Sequence, residues 1–376
     1  MSNTRFLLII LLLLFLLAFL LGWVIYWKFF GKKQIQQQKQ KQEWVKKTLA
    51  HIKNLVIIYN FKLKSKNLHM PEFKSISDLL TFFPNEQTII NFLEKHRWNG
   101  KVVSPYDPTS KVYFCPSINR YKCKNTGKFF NVKTGTAFAN TKLPLRKWFI
   151  ATYLFTSHKK GVSSCQLKRD LNITQKSAWN LLDDLRENLK QTNFIKDMLK
   201  GLVEIDETFI GGKNKNRHWN KKVPNSQGRS WKDKVPVLGM IERNGNLIAQ
   251  VVQNTRQETI EPIIKANIKQ NSNVYTDEWH AYKDLCQWYN HEIVNHSIKQ
   301  YVNKNASTNS IEGFWSHLKK GINNTYHWIS KKHTQKYIDE FVLRFNTRKD
   351  SEQDRFNLVI SSMVGKNLGY ERLISS

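Results

Sequence analysis

The sequence predicts a mixed α/β fold of the α+β kind, and three observations carry that expectation. Two short apolar runs, Val203-Glu204-Ile205 and Asn273-Val274-Tyr275-Thr276, each lead into an aspartate, Asp206 and Asp277. Between them, Lys234 to Arg243 reaches the turn Asn244-Gly245-Asn246 and Leu247 to Val252 returns, a strong hairpin signal. Beyond both aspartates a helix-like segment opens near Asn309 and carries Glu312. With 376 residues, two or three domains are expected.

The chain begins with an element foreign to such a domain. Phe6 to Trp27 is an apolar run of 22 residues, enough at 1.5 Å per residue to span a bilayer core of about 30 Å as a helix. No small-residue cleavage pattern follows it, so a cleaved signal peptide is not expected. Between Lys28 and Lys66 there are eleven lysines and one acid, Glu43. Positive charge on that side predicts a single-pass membrane protein, a transmembrane helix at 6–27 with the C-terminal domains in the cytoplasm. If the span is not inserted, the protein is cytoplasmic. Residues 28–69, basic and rich in glutamine, read as a stalk or linker.

Residues 70–140 read as N-terminal helices followed by a degenerate zinc-ribbon-like β element. A zinc ribbon needs two Cys-x-x-Cys knuckles to supply four thiolates to one tetrahedral ion. Here Ser104-Pro105-Tyr106-Asp107 has the spacing of the first knuckle without a cysteine, and Cys123-Lys124-Asn125-Thr126 keeps one thiol of the second. Structural zinc is therefore not expected. Packing of Tyr113, Tyr121, Phe129 and Val132 is expected to hold the β element instead, and four scattered cysteines give no reason for disulfides.

Residues 141–192 read as a helix-turn-helix. A first helix begins at Leu145 and stops near His158, and Gly161 breaks the chain. Ser163 to Leu171 makes a short second helix, and after the turn at Asn172-Ile173, Thr174 caps a third. A short helix, a tight turn and a longer helix with Gln175, Lys176 and Asn180 exposed suit docking in a DNA major groove; a three-helix packing unit without DNA contact is the plainer alternative. The net charge favours DNA: 60 Lys and Arg against 29 Asp and Glu give a formal +31. Such an excess is unusual for an enzyme of small metabolites and suits a protein that tracks phosphates.

Residues 200–350 read as the catalytic domain, and 351–376 as a C-terminal tail. Three strands, a helix over Thr259 to Gln270, a strand and a later helix form the order of ribonuclease-H-like enzymes. Two strand-borne aspartates and a helix-borne glutamate, Asp206, Asp277 and Glu312, are the oxygen donors that hard divalent cations take. On a helix from Asn309, residues 309, 312, 316 and 319 share a stripe, which puts Asn309 and Lys319 beside Glu312. Glu204 shares a strand face with Asp206 and reads as structural; Trp315 reads as core.

From about Phe73 to Arg348 the sequence resembles the DDE insertion-sequence transposases of the ISXO type, related to the Merlin elements. The resemblance rests on Arg97-Trp98-Asn99-Gly100, Thr134-Gly135-Thr136, the run Val203 to Gly212, Tyr275-Thr276-Asp277, the run Asn309 to Lys319, Thr325-Tyr326-His327 and the run Glu340 to Arg348. It implies that Asp206, Asp277 and Glu312 are catalytic and bind two Mg²⁺ (or Mn²⁺) ions, with Asn309 as an alternative third ligand and Lys319 as a DNA contact near the cut. It implies terminal inverted repeats and target DNA as partners, and a homo-oligomer when acting on DNA. The sequence departs from the family in the ribbon ligands (Ser104, Asp107 and Thr126), in Ser307 where relatives often have His, and in the membrane segment and stalk. Two other readings stand beside the transposase: a domesticated or decaying membrane-tethered DNA binder, and a ribonuclease-H-fold nuclease acting on another substrate.

Overall fold

The structure is a computed structural model that describes residues 73–190, 197–211, 214, 217–224, 226, 230, 234–294 and 307–364. The expected membrane helix at 6–27 and stalk at 28–69 lie outside the described residues. Among the described residues no helix is long and apolar enough to cross a membrane.

The C-terminal half is built on a five-stranded sheet. Its strands are β4 (Leu202–Ile210), β5 (Val235–Glu242), β6 (Leu247–Val251), β7 (Asn273–Thr276) and β8 (Asn290–Ile293). They lie in the order β6-β5-β4-β7-β8. β5 runs antiparallel to both β4 and β6, whereas β4, β7 and β8 are parallel. The helix α6 (Gln257–Asn267) connects β6 to β7, so the predicted sequence of three strands, helix, strand and later helix is present.

Alternation along β4 sets the two faces. Val203 and Ile205 join Leu238, Met240 and Val274 under Ile260, Ile264 and a 3₁₀ segment carrying Tyr282 and Leu285. Glu204 and Asp206 point the other way, towards α7 (Asn309–Gly321). On that face Ile311, Phe314, Trp315 and Leu318 pack with Val237, Ile241 and Ala249, and α8 (Thr334–Asn346) adds Ile338 and Phe341. β5 is buried on both faces, which is why it reads as a nearly continuous apolar run.

The N-terminal half begins with α1 (Ile76–Phe82), closed by a Ser75–Asp78 capping box, and α2 (Glu86–Trp98), which ends on Asn99 in the left-handed conformation at φ 50°. A three-stranded antiparallel ribbon follows: β1 (Val112–Cys115), β2 (Arg120–Cys123) and β3 (Phe129–Phe130). Its packing corrects the sequence reading in part. Tyr113 and Phe129 are exposed, whereas Phe130 and Val132 are buried. Phe130 stacks on Tyr121 and meets Trp98 edge-on. The alternation of β3 places Phe130, not its neighbour Phe129, on the side of α2, and that choice is invisible in a Phe-Phe pair.

The helices α3 (Leu145–Ser157), α4 (Ser164–Leu171) and α5 (Gln175–Lys190) fall where the three-helix reading put them. Ser163 accepts from Gln166 N–H, Asn172 closes α4 at φ 47°, and Thr174 accepts from Ser177 N–H. The expected tail at 351–376 is corrected over its first part, and 365–376 lie outside the described residues. Glu352–Met363 forms the helix α9, because Phe356, Val359, Ile360 and Met363 make an i, i+3, i+4, i+7 apolar stripe. That stripe buries against the first helices, where Phe356 meets Phe73 and Phe149 edge-on and Met363 O accepts from Ala137 N–H at 3.0 Å. The described residues all fall in one compact unit.

One acid in this unit gives a pH prediction. Burial, then Asp183, pushes Asp184 on α5 up to about 7 from 3.8. A carboxyl raised on folding keeps its full stability below the unfolded value and loses it as pH rises through the folded one. Asp184→Asn is expected to leave the thermal midpoint nearly unchanged at pH 4 and to raise it at pH 8, by at most about 4 kcal/mol in stability. An equal gain at both pH values in a melting series rules this out.

Candidate active site

Asp206 sits in the middle of β4, opposite Gly239 of β5 in the antiparallel register. That glycine has no side chain for a reason of space: a Cβ there would stand 2.4 Å from Trp315 Cζ2 and 2.9 Å from Ile311 Cδ1. The gap lets α7 lie directly on the sheet, and Trp315 Nε1 then donates to Asp206 Oδ2 at 3.1 Å. Trp315 is core, as its position suggested, but its polar edge is turned to the acid.

Asp277 follows the end of β7, the strand parallel to β4, and is buried. Its Oδ1 accepts from Trp279 N–H at 3.1 Å. Glu312 stands on the first turn of α7, exposed, with Oε1 accepting from the Thr308 hydroxyl at 3.0 Å. Burial, then the charge of Asp277, then that of Glu312 push Asp206 up to about 7. The two other predicted acids are therefore its electrostatic neighbours, brought together from three separate elements.

As posed, these acids do not form a ready-made cluster. Among the described residues no three His, Cys, Asp or Glu side chains stand grouped to hold one ion. Glu312 is turned back to Thr308 and Asp206 is engaged by Trp315, so shared ligation requires a rotation of the Glu312 side chain. The donor chemistry nevertheless suits a hard divalent cation: three carboxylates, one of them held near neutrality by burial and by like charge that a cation relieves.

Lys319 belongs to the same face. Burial lowers its pKa, while Asp206 opposes that shift and Lys234, just before β5, adds to it. Lys319 thus has Asp206 and Lys234 as charged neighbours. Asn309, the alternative third ligand, is the exposed first residue of α7. Gln175, Lys176 and Asn180 are exposed at the start of α5, with Gln175 Nε2 donating to Ser164 Oγ at 2.9 Å across the turn to α4.

Sequence reasoning read Glu204 as structural without finding its task. Its carboxylate is fully buried and receives the N-terminus of α7: Ser310 N–H donates at 2.8 Å and Ile311 N–H at 3.1 Å, and the Ser310 hydroxyl at 2.9 Å. Arg243 pairs with it at 3.0 Å and also donates to Ser307 Oγ at 2.8 Å. An anion at a helix N-terminus satisfies amides that have no partner within the helix, and here it fixes the helix that carries Glu312 and Lys319. Ser307, a departure from the family, is part of this anchor. Glu204→Ala leaves Arg243 and two amides without their anion. It is expected to cost about 3–5 kcal/mol of stability and to lower turnover, read by thermal unfolding alongside DNA cleavage. A variant with unchanged melting and cleavage would remove Glu204 from this role.

Tyr282 was also missed. It is buried beneath β4, and burial, then Glu207, Asp206 and Asp277, raise its pKa well above the usual phenol value. No sequence signal distinguished it from a core aromatic. A cleft of about 580 Å³ lies along the other side of α7, lined by Lys159, Gly313, His317, Arg344, Arg348 and Arg355 among others, and contains none of the three acids.

Comparison with known proteins follows this geometry. The ISXO2-like transposase domain matches residues 198–346. A protein of the transposable element ISH50 from Halobacterium salinarum is 27% identical over 274 residues, covering 70% of this chain and 91% of the relative. A transposase-like protein from Haemophilus influenzae is 35% identical over 104 residues, 27% of this chain and 83% of the relative. Two solved complexes of the Mos1 transposase, the strand transfer complex and the paired-end complex with the left transposon end, align at 13% identity. They cover 61% and 60% of this chain and 82% and 81% of theirs, with TM-scores of 0.25 and 0.24, too low to argue from.

Proposed function

Since the chain belongs to the ISXO2-like transposase family, we propose that it cuts and joins DNA strands at the ends of an insertion element by metal-assisted phosphoryl transfer. The observation that supports this reading is that Asp277 and Glu312, from two other elements, are electrostatic neighbours of Asp206, with Lys319 coupled to the same acid. Asp206, Asp277 and Glu312 would hold two Mg²⁺ or Mn²⁺ ions. When bound, such ions activate the attacking water or 3′-hydroxyl and neutralise charge on the leaving oxygen.

The chain's own residues do the rest. Trp315 restrains the Asp206 carboxylate and covers it from water on the α7 side. Glu204 and Arg243 fix the start of α7, so that Glu312 approaches from a rigid element. Lys319 and Lys234 supply positive charge where a phosphate would sit, which favours charge building up there during transfer. Lys176 and Asn180 on α5 would meet DNA at a distance from the cut and set where it falls.

A second reading has one observation in its favour. The acids are not posed as a three-ligand group, as fits a relative that binds DNA without cutting it. The purified chain incubated with labelled terminal repeats and Mg²⁺ or Mn²⁺ separates the two. Cleavage and strand transfer at the repeat ends, together with a rise in the melting midpoint on adding the cation, are expected. Repeat binding with neither cutting nor a cation-dependent melting shift leaves the DNA-binder reading, and cutting indifferent to sequence points to a nuclease.

A further inference from the structure

The four positions at which a zinc ribbon carries its thiolates are Ser104, Asp107, Cys123 and Thr126 in this chain. One thiol, two hydroxyls and one carboxylate are a poor donor set for structural zinc, whose closed sites use thiolates and imidazoles. The positions have nevertheless not drifted apart. Ser104, 1% exposed, accepts with Oγ from Tyr106 N–H at 3.2 Å and from Asp107 N–H at 3.3 Å, the two amides that the turn aims inward. Across the ribbon, Asp107 Oδ2 accepts from Asn125 Nδ2 at 2.7 Å, and Ser110 Oγ accepts from Asn125 N–H at 3.0 Å, so the first loop is bonded directly to the second. Asp107 Oδ1 takes the Thr109 amide and hydroxyl at 2.9 and 2.7 Å. Between the loops lies Cys123, fully buried, with Ser104, Ser110 and Thr126 as its polar neighbours.

We infer that this ribbon is a metal-free version of a zinc ribbon, its two loops closed by hydrogen bonds among Ser104, Asp107, Ser110 and Asn125 around the buried Cys123. Two of the four former ligand positions, Ser104 and Asp107, now accept hydrogen bonds from other loop residues. The inward amides that loss of a metal would strand at the first loop are thereby satisfied. Burial pushes the Cys123 thiol up, but the surrounding hydroxyls outweigh it and hold it at about 6, in keeping with a sulfur surrounded by donors. On the reading of function above, a chelator would stop cleavage by stripping the catalytic cations while leaving this ribbon folded and the repeat ends bound.

The full chain is the test material. Purified from zinc-supplemented medium and held in buffer free of Mg²⁺ and Mn²⁺, it is expected to carry no stoichiometric zinc by elemental analysis and to melt at the same temperature before and after EDTA treatment. About one zinc per chain, with a lower midpoint in EDTA, overturns the inference. The converse experiment restores the thiolates with Ser104→Cys, Asp107→Cys and Thr126→Cys together. Because the four positions still converge, this variant is expected to bind one zinc per chain and, with Co²⁺, to show the visible bands of a tetrahedral thiolate site. A folded triple variant that takes up neither metal overturns the convergence. Should it not fold, Ser104→Ala decides: losing the acceptor of two inward amides is expected to lower the midpoint by several degrees in zinc-free buffer, and an unchanged midpoint removes the network from its role.

Discussion

Asp206→Ala and Asp277→Ala are each expected to lower DNA cleavage and strand transfer by about 10³-fold or more, with binding to the repeat ends retained. Cation-assisted charge stabilisation is worth several kcal/mol, and each 1.36 kcal/mol is a factor of ten in rate. On the two-metal proposal, removing either aspartate would take away a ligand that Glu204, committed to the start of α7, does not replace. Binding survives because Lys319, Lys234 and the exposed start of α5 lie outside the substitution. Asp206→Ala should also melt no lower than the parent in cation-free buffer, because it removes a carboxyl that burial and Asp277 hold at about 7. Cleavage is the discriminating readout, and a variant that cuts at the parent rate ends the two-metal proposal. The third ligand separates in the same assay. Glu312 is the residue whose charge reaches Asp206, so Glu312→Gln is expected to be as damaging, and Asn309→Ala nearly neutral; the reverse order would make Asn309 the ligand.

Much of this arrangement was legible in the sequence, because local patterns with a fixed period carry it. Val203 and Ile205 alternate with Glu204 and Asp206 as a strand does, Asn244-Gly245 marks the hairpin, and residues 312, 315 and 319 fall on adjoining faces of one helix. The motifs shared with transposases, however, turn out to serve two tasks. Trp98 and Arg97 hold the ribbon to α2, with Arg97 donating to Val132 O at 2.7 Å. Asn346 at the end of α8 clips the β6 edge by donating to Leu247 O at 2.9 Å and accepting from its N–H at 2.8 Å. Neither touches the acids. What stayed hidden was pairing over long separations. Nothing local announces that Glu204 will meet Ser310, that Gly239 is empty so that Trp315 can enter, or that the last described helix packs beside Phe73. Each depends on which elements meet, and periodicity within one segment is silent on that.

Another long-range pairing hidden in the same way carries a large effect on stability. Arg186 of α5 and Glu340 of α8 meet at 2.6 Å with both side chains almost fully buried. Glu340 also accepts from Tyr326 Oη at 2.6 Å and pairs with Arg344 at 2.7 Å, while Lys336 pairs with Asp183 at 2.9 Å and Glu187 at 3.1 Å. The guanidinium of Arg186 lies 4.1 Å from the Tyr337 ring centroid. Gly161 leaves room for this, since a Cβ there would collide with the Tyr326 hydroxyl. Burial works against both charges, but each is the other's counterion, so Glu340 stays below the usual carboxylate range and Arg186 stays charged. This cluster is where the helix bearing Lys176 and Asn180 joins the body bearing the acids. Glu340→Ala strands a buried guanidinium, which costs about 3–5 kcal/mol and is expected to lower the melting midpoint by roughly 6 °C or more. The joint change Arg186→Met with Glu340→Leu removes both charges together and is expected to recover most of that loss, because apolar replacement of a whole buried pair is often neutral or better. The double variant then tests what the charges do for function. If the pair serves only to hold α5 and α8 together, its cleavage at repeat ends matches the parent. A single variant that melts like the parent, or a double variant no more stable than the single, would show that this cluster does not join the two parts of the molecule.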